Sequence, residues 1–212
     1  MNQVILIVGA ATSGKSSLAR ALLQAGHVAD VISCDAHRFE PGPGWVKRPA
    51  VDYVRSVQDA VTAAIAAHPE KRIAVDTTVY DSSDPEDARG RCARHLCSAG
   101  FVVLVINLVM HQSRVVEGIL TRSMRRAKGL EPQNSAGVET PASVARLLAK
   151  NWDYDAGVKP NIVKFIDEIR AGETILVHER AAVALPSPWD AVLHDGNPWS
   201  HADIASFAMF VS

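Results

Sequence analysis

Four residues near the start of the chain have the types and the spacing that bind a polyphosphate, G-x-x-x-x-G-K-[ST]. They are Gly9, Gly14, Lys15 and Ser16. The apolar run before them, Val4 to Val8, predicts a buried strand, and Ser17 to Gln24 predicts a helix. A glycine-containing loop between a strand and a helix points backbone N–H groups at an anion, and the helix N-terminus adds partial positive charge. We therefore predict a phosphate-binding loop, with Lys15 on the β- and γ-phosphates and the Ser16 hydroxyl on Mg²⁺. The residues expected to bind the nucleotide are Gly9, Thr12, Ser13, Gly14, Lys15, Ser16 and Ser17.

Two aspartates follow predicted strands. Asp35 comes after a strand predicted over Ala29 to Ser33, and Asp76 after one predicted over Arg72 to Val75. In parallel sheets ligands bind at the carboxyl ends of the strands. Asp35 is our candidate general base for an acceptor hydroxyl, with a helix N-cap as the alternative. Asp76 is our candidate Mg²⁺ ligand beside the phosphate loop, with a strand-end turn as the alternative.

A second group of polar residues lies where an acceptor would bind. Residues 41–49 form a predicted loop with two prolines and two glycines in its first five positions. An aromatic ring beside two cations suits a stacked base and its phosphate, whereas Trp45 as a local hydrophobic anchor is the alternative. The residues expected to contact the acceptor are Arg38, Trp45, Lys47, Arg48, Thr77 and Thr78.

A basic stretch lies on a helix predicted over residues 112–128. It carries Arg114, Arg122, Arg125, Arg126 and Lys128. One interpretation is a solvated helix face. The other is a lid that brings guanidinium groups onto the transferring phosphoryl group, and the polar segment 129–140 favours it. Arg122 and Arg126 are the catalytic candidates in this lid, and the sequence leaves the choice between them open.

Strands alternate with helices along the whole chain. Further helices are predicted over 51–67, 85–98, 141–152 and 161–171, and further strands over 101–108 and 174–178. This order predicts an α/β fold of three layers, with a central parallel sheet of about five strands and right-handed crossovers. We expect one domain over 1–212, with the lid at about 112–140 and an irregular cap at about 181–212.

The bulk properties limit the kinds of partner. The chain has 212 residues and a formal net charge of −1, which argues against a protein that coats a nucleic-acid duplex. Its three cysteines, Cys34, Cys92 and Cys97, have no C-x-x-C spacing and suit reduced thiols. The chain has no secretory pattern and no apolar run of about 18 residues. We therefore expect a cytoplasmic protein without a membrane partner.

The chain resembles the polynucleotide-kinase-like group of P-loop kinases, and most of all the 5′-hydroxyl polynucleotide kinase domain. In that family the P-loop is followed by an Asp with an Arg three positions on, as Asp35 and Arg38 are here. The D-x-T-N element of the family corresponds to residues 76–79, where Val79 stands in place of the usual Asn. A basic lid and a helix that begins near a proline follow in the family, and the resemblance covers roughly residues 1–155. It implies ATP and Mg²⁺ at Lys15 and Ser16, a base at Asp35, an acceptor phosphate at Arg38 and the transferring phosphate at Arg126.

The resemblance implies an ATP- and Mg²⁺-dependent kinase, a phosphotransferase with an alcohol group as acceptor. The acceptor we expect is nucleic acid or nucleotide-like, such as the 5′-hydroxyl end or a hydroxymethylated base of DNA. The same group includes antibiotic kinases and zeta-toxin-type kinases of nucleotide sugars, so a small-molecule acceptor is the first alternative. A nucleotide-binding switch without an acceptor is the second, although the N-K-x-D motif of GTPases is absent.

Overall fold

The computed structural model describes residues 3–40, 46, 48–77, 88–99, 101–110, 112–130, 140–170 and 177–181. The strands are β1 (Gln3–Gly9), β2 (Asp30–Ser33), β3 (Ile73–Thr77), β4 (Val102–Val109) and β5 (Val177–Ala181). The helices are α1 (Lys15–Gln24), α2 (Ala50–Ala67), α3 (Ala88–Ser98), α4 (Gln112–Ala127), α5 (Pro141–Asn151) and α6 (Lys159–Arg170). A 3-10 helix (Cys34–His37) follows β2, and a π-helical turn (Tyr154–Val158) precedes α6.

The strands form one parallel sheet in the order β2-β3-β1-β4-β5. β1 lies in the middle, so the phosphate loop leaves the sheet between β3 and β4. Because all strands run the same way, their carboxyl ends meet at one edge. The predicted α/β class with a central parallel sheet is confirmed.

Helices cover both faces of the sheet. On one face Leu18 and Leu22 of α1 pack against apolar side chains of the central strands, among them Ile5, Ile7 and Ile106. On the other face a larger cluster joins the sheet to α2, α3, α4 and α6. The buried residues of α2 recur every three or four positions, which is the helical period that the sequence showed; they are Tyr53, Val57, Val61, Ala64 and Ile65.

Several boundaries differ from those predicted. α1 begins at Lys15 rather than Ser17, because the last residues of the phosphate loop already form the first helical turn. β5 extends to Ala181, three residues beyond its predicted end. Asp35 lies in a 3-10 helix rather than an open loop. The predicted segments 41–45, 131–139 and 182–212 lie outside the described residues.

Among the described helices, none is both long enough and apolar enough to cross a bilayer.

Candidate active site

The phosphate loop joins β1 to α1, and its geometry requires glycine at two positions. Gly14 has a φ of 87°, in the left-handed region. A Cβ on Gly9 would lie 2.6 Å from Ser13 Oγ and 2.9 Å from the Leu108 carbonyl oxygen. The loop therefore turns tightly against the end of β4, where a side chain at position 9 has no room.

Lys15 lies folded across this loop. Its Nζ donates to the Ala10 carbonyl at 2.5 Å and to Ser13 Oγ at 3.5 Å, and only 8% of the residue is exposed. An ammonium group has three donors, so the position suits a cation that exchanges these partners for phosphate oxygens. Ser17, another predicted nucleotide contact, is half-buried in the first turn of α1.

Ser16 and Asp76 meet across 60 residues of sequence. Ser16 Oγ donates to Asp76 Oδ2 at 2.6 Å, and Asp76 is 5% exposed. A hydroxyl and a carboxylate oxygen are ligands that Mg²⁺ prefers. Within the described part of the chain, no three His, Cys, Asp or Glu residues group so as to hold a metal ion. A cation here would thus need further ligands from phosphate or water.

Asp35 lies at the same edge of the sheet as Asp76. It is the second residue of the 3-10 helix that follows β2, and β2 pairs with β3 so that Ser33 lies opposite Asp76. The 3-10 helix packs against β3 and α2. Asp35 is half-buried, and its Oδ1 atom is shielded from solvent. The fold therefore holds the predicted base at the edge where ligands bind in parallel sheets.

The residues after Asp35 bond mainly to one another. The Arg48 N–H donates to the Arg38 carbonyl at 2.9 Å, and Arg48 Nε–H donates to the Phe39 carbonyl at 3.2 Å. The Arg38 guanidinium lies 5.6 Å from the centroid of the Phe39 ring. His37 Nδ1 lies 2.9 Å from Ser56 Oγ on α2, and burial, with a smaller contribution from Arg48, lowers the pKa of His37. Arg48 thus helps to close the segment on itself.

Thr77 is buried on the face of the sheet opposite α1. Adjacent residues of a strand point to opposite faces, and Asp76 points to α1 because it bonds Ser16. Val8 pairs with Thr77 on one side and with Asn107 on the other. Thr77 Oγ1 and Asn107 Oδ1 are buried, and neither has a hydrogen-bond partner among the described residues. The other predicted acceptor contacts, Trp45, Lys47 and Thr78, lie outside the described residues.

The helix with the predicted lid arginines contacts the phosphate loop. Thr12, at a φ of 61°, has its hydroxyl 2.6 Å from the Ala11 carbonyl oxygen and 3.2 Å from the Val115 carbonyl oxygen of α4. A Cβ on Gly118 would lie 2.6 Å from Thr12 Oγ1 and 2.8 Å from Thr12 Cβ. Arg122 and Arg126, both half-buried, follow one and two turns later on α4.

Gly118 and Asn107 were not among the predicted site residues, although each breaks a local rule. A glycine inside a helix costs about 1 kcal/mol relative to alanine, so Gly118 within a helical pattern is a signal of close packing. Asn107 is the one amide in the apolar run of β4, and a buried polar side chain calls for a physical reason.

Comparisons with known proteins support the fold. No protein-family model matches the chain, and no curated protein matches it. A protein from Chloroflexus aurantiacus J-10-fl, provisionally assigned as a kinase, is 19% identical, with a TM-score of 0.52. The match covers 99% of this chain and 96% of that one. A sugar kinase from Janibacter sp. HTCC2649 is 14% identical, with a TM-score of 0.42, over 95% of this chain and 100% of its own. A gluconokinase from Sinorhizobium meliloti 1021 is 16% identical, with a TM-score of 0.43, over 99% of this chain and 95% of its own.

The first of these likenesses shows that the chain shares its fold with a protein that is provisionally assigned as a kinase. At this identity the likeness concerns the fold alone.

Proposed function

We propose that this protein is an ATP- and Mg²⁺-dependent kinase that transfers the γ-phosphate to a hydroxyl group of a small molecule. The observation that carries the proposal is the hydrogen bond between Ser16 of the phosphate loop and the buried Asp76 of β3. It joins a phosphate-binding element to a carboxylate, and it lies at the sheet edge that also holds Asp35.

The residues present fit both ATP and Mg²⁺. The tight turn at Gly9 and Gly14 leaves a loop whose N–H groups suit phosphate oxygens, with Lys15 as the cation. Ser16 and Asp76 would hold Mg²⁺, which when bound neutralises charge on the β- and γ-phosphates. Two acidic groups near a polyphosphate are electrostatically unfavourable without such a cation.

Asp35 is the residue we assign to the acceptor hydroxyl. It would orient the hydroxyl and accept its proton as the phosphorus–oxygen bond forms. Arg122 is the arginine we assign to the transferring phosphate, because it lies closer along α4 to the helix's contact with the loop than Arg126 does. A guanidinium there would stabilise charge on the equatorial oxygens.

The observations favour a small acceptor over nucleic acid. The net charge of −1 offers no general attraction for a phosphate backbone. Of the residues on which the nucleic-acid expectation depended, Arg48 is half-buried and bonds the Phe39 carbonyl. A 5′-hydroxyl end or a modified base of DNA is therefore the alternative acceptor.

The test is a transfer assay with γ-labelled ATP and Mg²⁺. The acceptors are sugars and gluconate, antibiotics, nucleosides, nucleotide sugars and 5′-hydroxyl oligonucleotides. An Asp35→Asn variant should lose about 10²- to 10⁴-fold in transfer rate, the usual contribution of a general base. Asp30→Asn is the matched control, because Asp30 begins β2, the strand before Asp35, and its Oδ1 accepts a local bond from the Val31 N–H.

Each outcome of this assay has a distinct meaning. Label on a small molecule that is lost in Asp35→Asn, and retained in Asp30→Asn, supports the proposal. Label only on oligonucleotides, with a steep loss of binding at higher salt, supports the nucleic-acid alternative. ATP hydrolysis without transfer to any acceptor supports a nucleotide-dependent switch and contradicts the kinase proposal.

A further inference from the structure

We propose that the contact between Thr12 and Gly118 positions Arg122 at the γ-phosphate of the bound nucleotide. The inference rests on the proposed kinase function and adds Gly118 to it as a positioning residue. The ligand concerned is a nucleoside triphosphate rather than a nucleoside diphosphate.

The contact is a close approach between the phosphate loop and α4. The Thr12 side chain occupies the space that a Cβ on Gly118 would fill, with distances of 2.6 Å to Oγ1 and 2.8 Å to Cβ. The Thr12 hydroxyl also lies 3.2 Å from the Val115 carbonyl oxygen, one turn earlier on the same helix. Thr12 itself has a φ of 61°, which threonine rarely adopts, so the surrounding structure must hold it there.

Helix geometry places Arg122 close to this contact. Four residues along an α-helix are about 6 Å of rise and about 40° of rotation, so Arg122 lies just beyond Gly118 on nearly the same face. Arg126 is about 12 Å and about 80° away from Gly118. The loop that holds the phosphates therefore touches α4 one turn before Arg122.

A methyl group at position 118 would break this arrangement. Rotation of the Thr12 side chain can move Oγ1, but it cannot move Cβ, which is fixed to the backbone. The separation must grow by about 0.6 Å, from 2.8 Å to the 3.4 Å of an ordinary contact. Displacements of this size in groups that hold a transition state lower rates strongly. Alanine is otherwise the better helix former, so the glycine indicates a need for close packing.

The experiment compares Gly118→Ala with Thr12→Gly/Gly118→Ala, which removes the Thr12 side chain that a Cβ at position 118 would meet. Gly157→Ala is the matched control, because a Cβ there meets no atom within 4 Å. Calorimetry measures the affinities for the β,γ-imido analogue of ATP and for ADP, both with Mg²⁺. Because ADP lacks the γ-phosphate, the ratio of the two affinities reports on Arg122.

We expect the affinity of Gly118→Ala for ADP to lie within about twofold of that of wild type. Its affinity for the analogue should be lower by about tenfold or more, because a charge-assisted hydrogen bond is lost. Arg122→Ala should show the same pattern. Thr12→Gly/Gly118→Ala should recover most of the ratio of analogue affinity to ADP affinity, because loss of Thr12 as a nucleotide contact weakens both ligands alike. Gly157→Ala should match wild type. If Gly118→Ala does not fold, recovery of a folded, analogue-binding protein in the double variant carries the test.

Three results would overturn the inference. One is an unchanged affinity ratio in Gly118→Ala. Another is an equal loss for ADP and the analogue, which means a distorted loop rather than a displaced arginine. The third is a double variant that recovers nothing. Failure of the kinase proposal looks different, because wild type would then prefer the analogue and still transfer phosphate to no acceptor.

Discussion

The hydrogen bond between Ser16 and Asp76 can be tested without any substrate. Ser16→Ala removes the donor that lies 2.6 Å from a carboxylate only 5% exposed. A hydrogen bond to a charged group contributes about 1.5–3 kcal/mol. Ser16 itself is exposed, so water can reach part of the vacated space, and we expect the lower end. For a chain of this size, a loss of about 1.5–2 kcal/mol lowers Tm by about 3–8 °C.

The assay is thermal and urea unfolding of the nucleotide-free protein, in a cycle with Asp76→Ala. Removal of both partners should cost about 1.5–2 kcal/mol less than the sum of the single losses, because the carboxylate is no longer left without its donor. Ser17→Ala is the control, since it makes the same change one position later, at a half-buried residue in the first turn of α1. The reasoning is refuted if the stability losses of the two single variants sum to the loss of the double variant within about 0.5 kcal/mol. With nucleotide, Ser16→Ala should also need more Mg²⁺ for binding.

Three further predictions follow from other parts of the structure. Lys15→Met should fold normally and bind ATP roughly 10- to 150-fold more weakly by calorimetry, because a charged donor to phosphate is lost; an unchanged affinity contradicts its role. Burial and Arg48 lower the pKa of His37 in the folded protein, so as the pH falls His37 is protonated in the unfolded chain before it is protonated in the folded one. Stability should therefore fall as pH drops below about 6.5, and the fall should be smaller in urea titrations of His37→Gln. Thr140→Ala removes the capping box of α5 and should lower the free energy of unfolding by about 1 kcal/mol. A Tm equal to that of wild type would contradict this prediction.

The parts of the site that the sequence revealed are local in the chain. Gly9, Gly14, Lys15 and Ser16 are near neighbours, so their spacing alone fixes which backbone groups face a phosphate. Asp76 was found because it ends an apolar run, and the structure places it in contact with Ser16. Local periodicity also predicted most of the helices and strands to within a few residues.

The parts that the sequence did not reveal are contacts between distant segments. Arg48 looked like a cation available to an acceptor, yet its Nε–H bonds the Phe39 carbonyl, because the segment folds back on itself. Gly118 was not singled out in the sequence, and its importance follows from the Thr12 side chain that the structure places against it. Neither partner can be read from the spacing of residues along one element.

The sequence by itself thus determined the phosphate loop, the alternation of strands and helices, and the positions of Asp35 and Asp76 at strand ends. Only the tertiary structure decided the strand order, which places β3 beside β1 and so brings Asp76 to Ser16. It also decided that α4 lies against the loop. The physical reason is that short-range periodicity follows from the geometry of one element, whereas neighbours in space depend on how whole layers bury their apolar faces together.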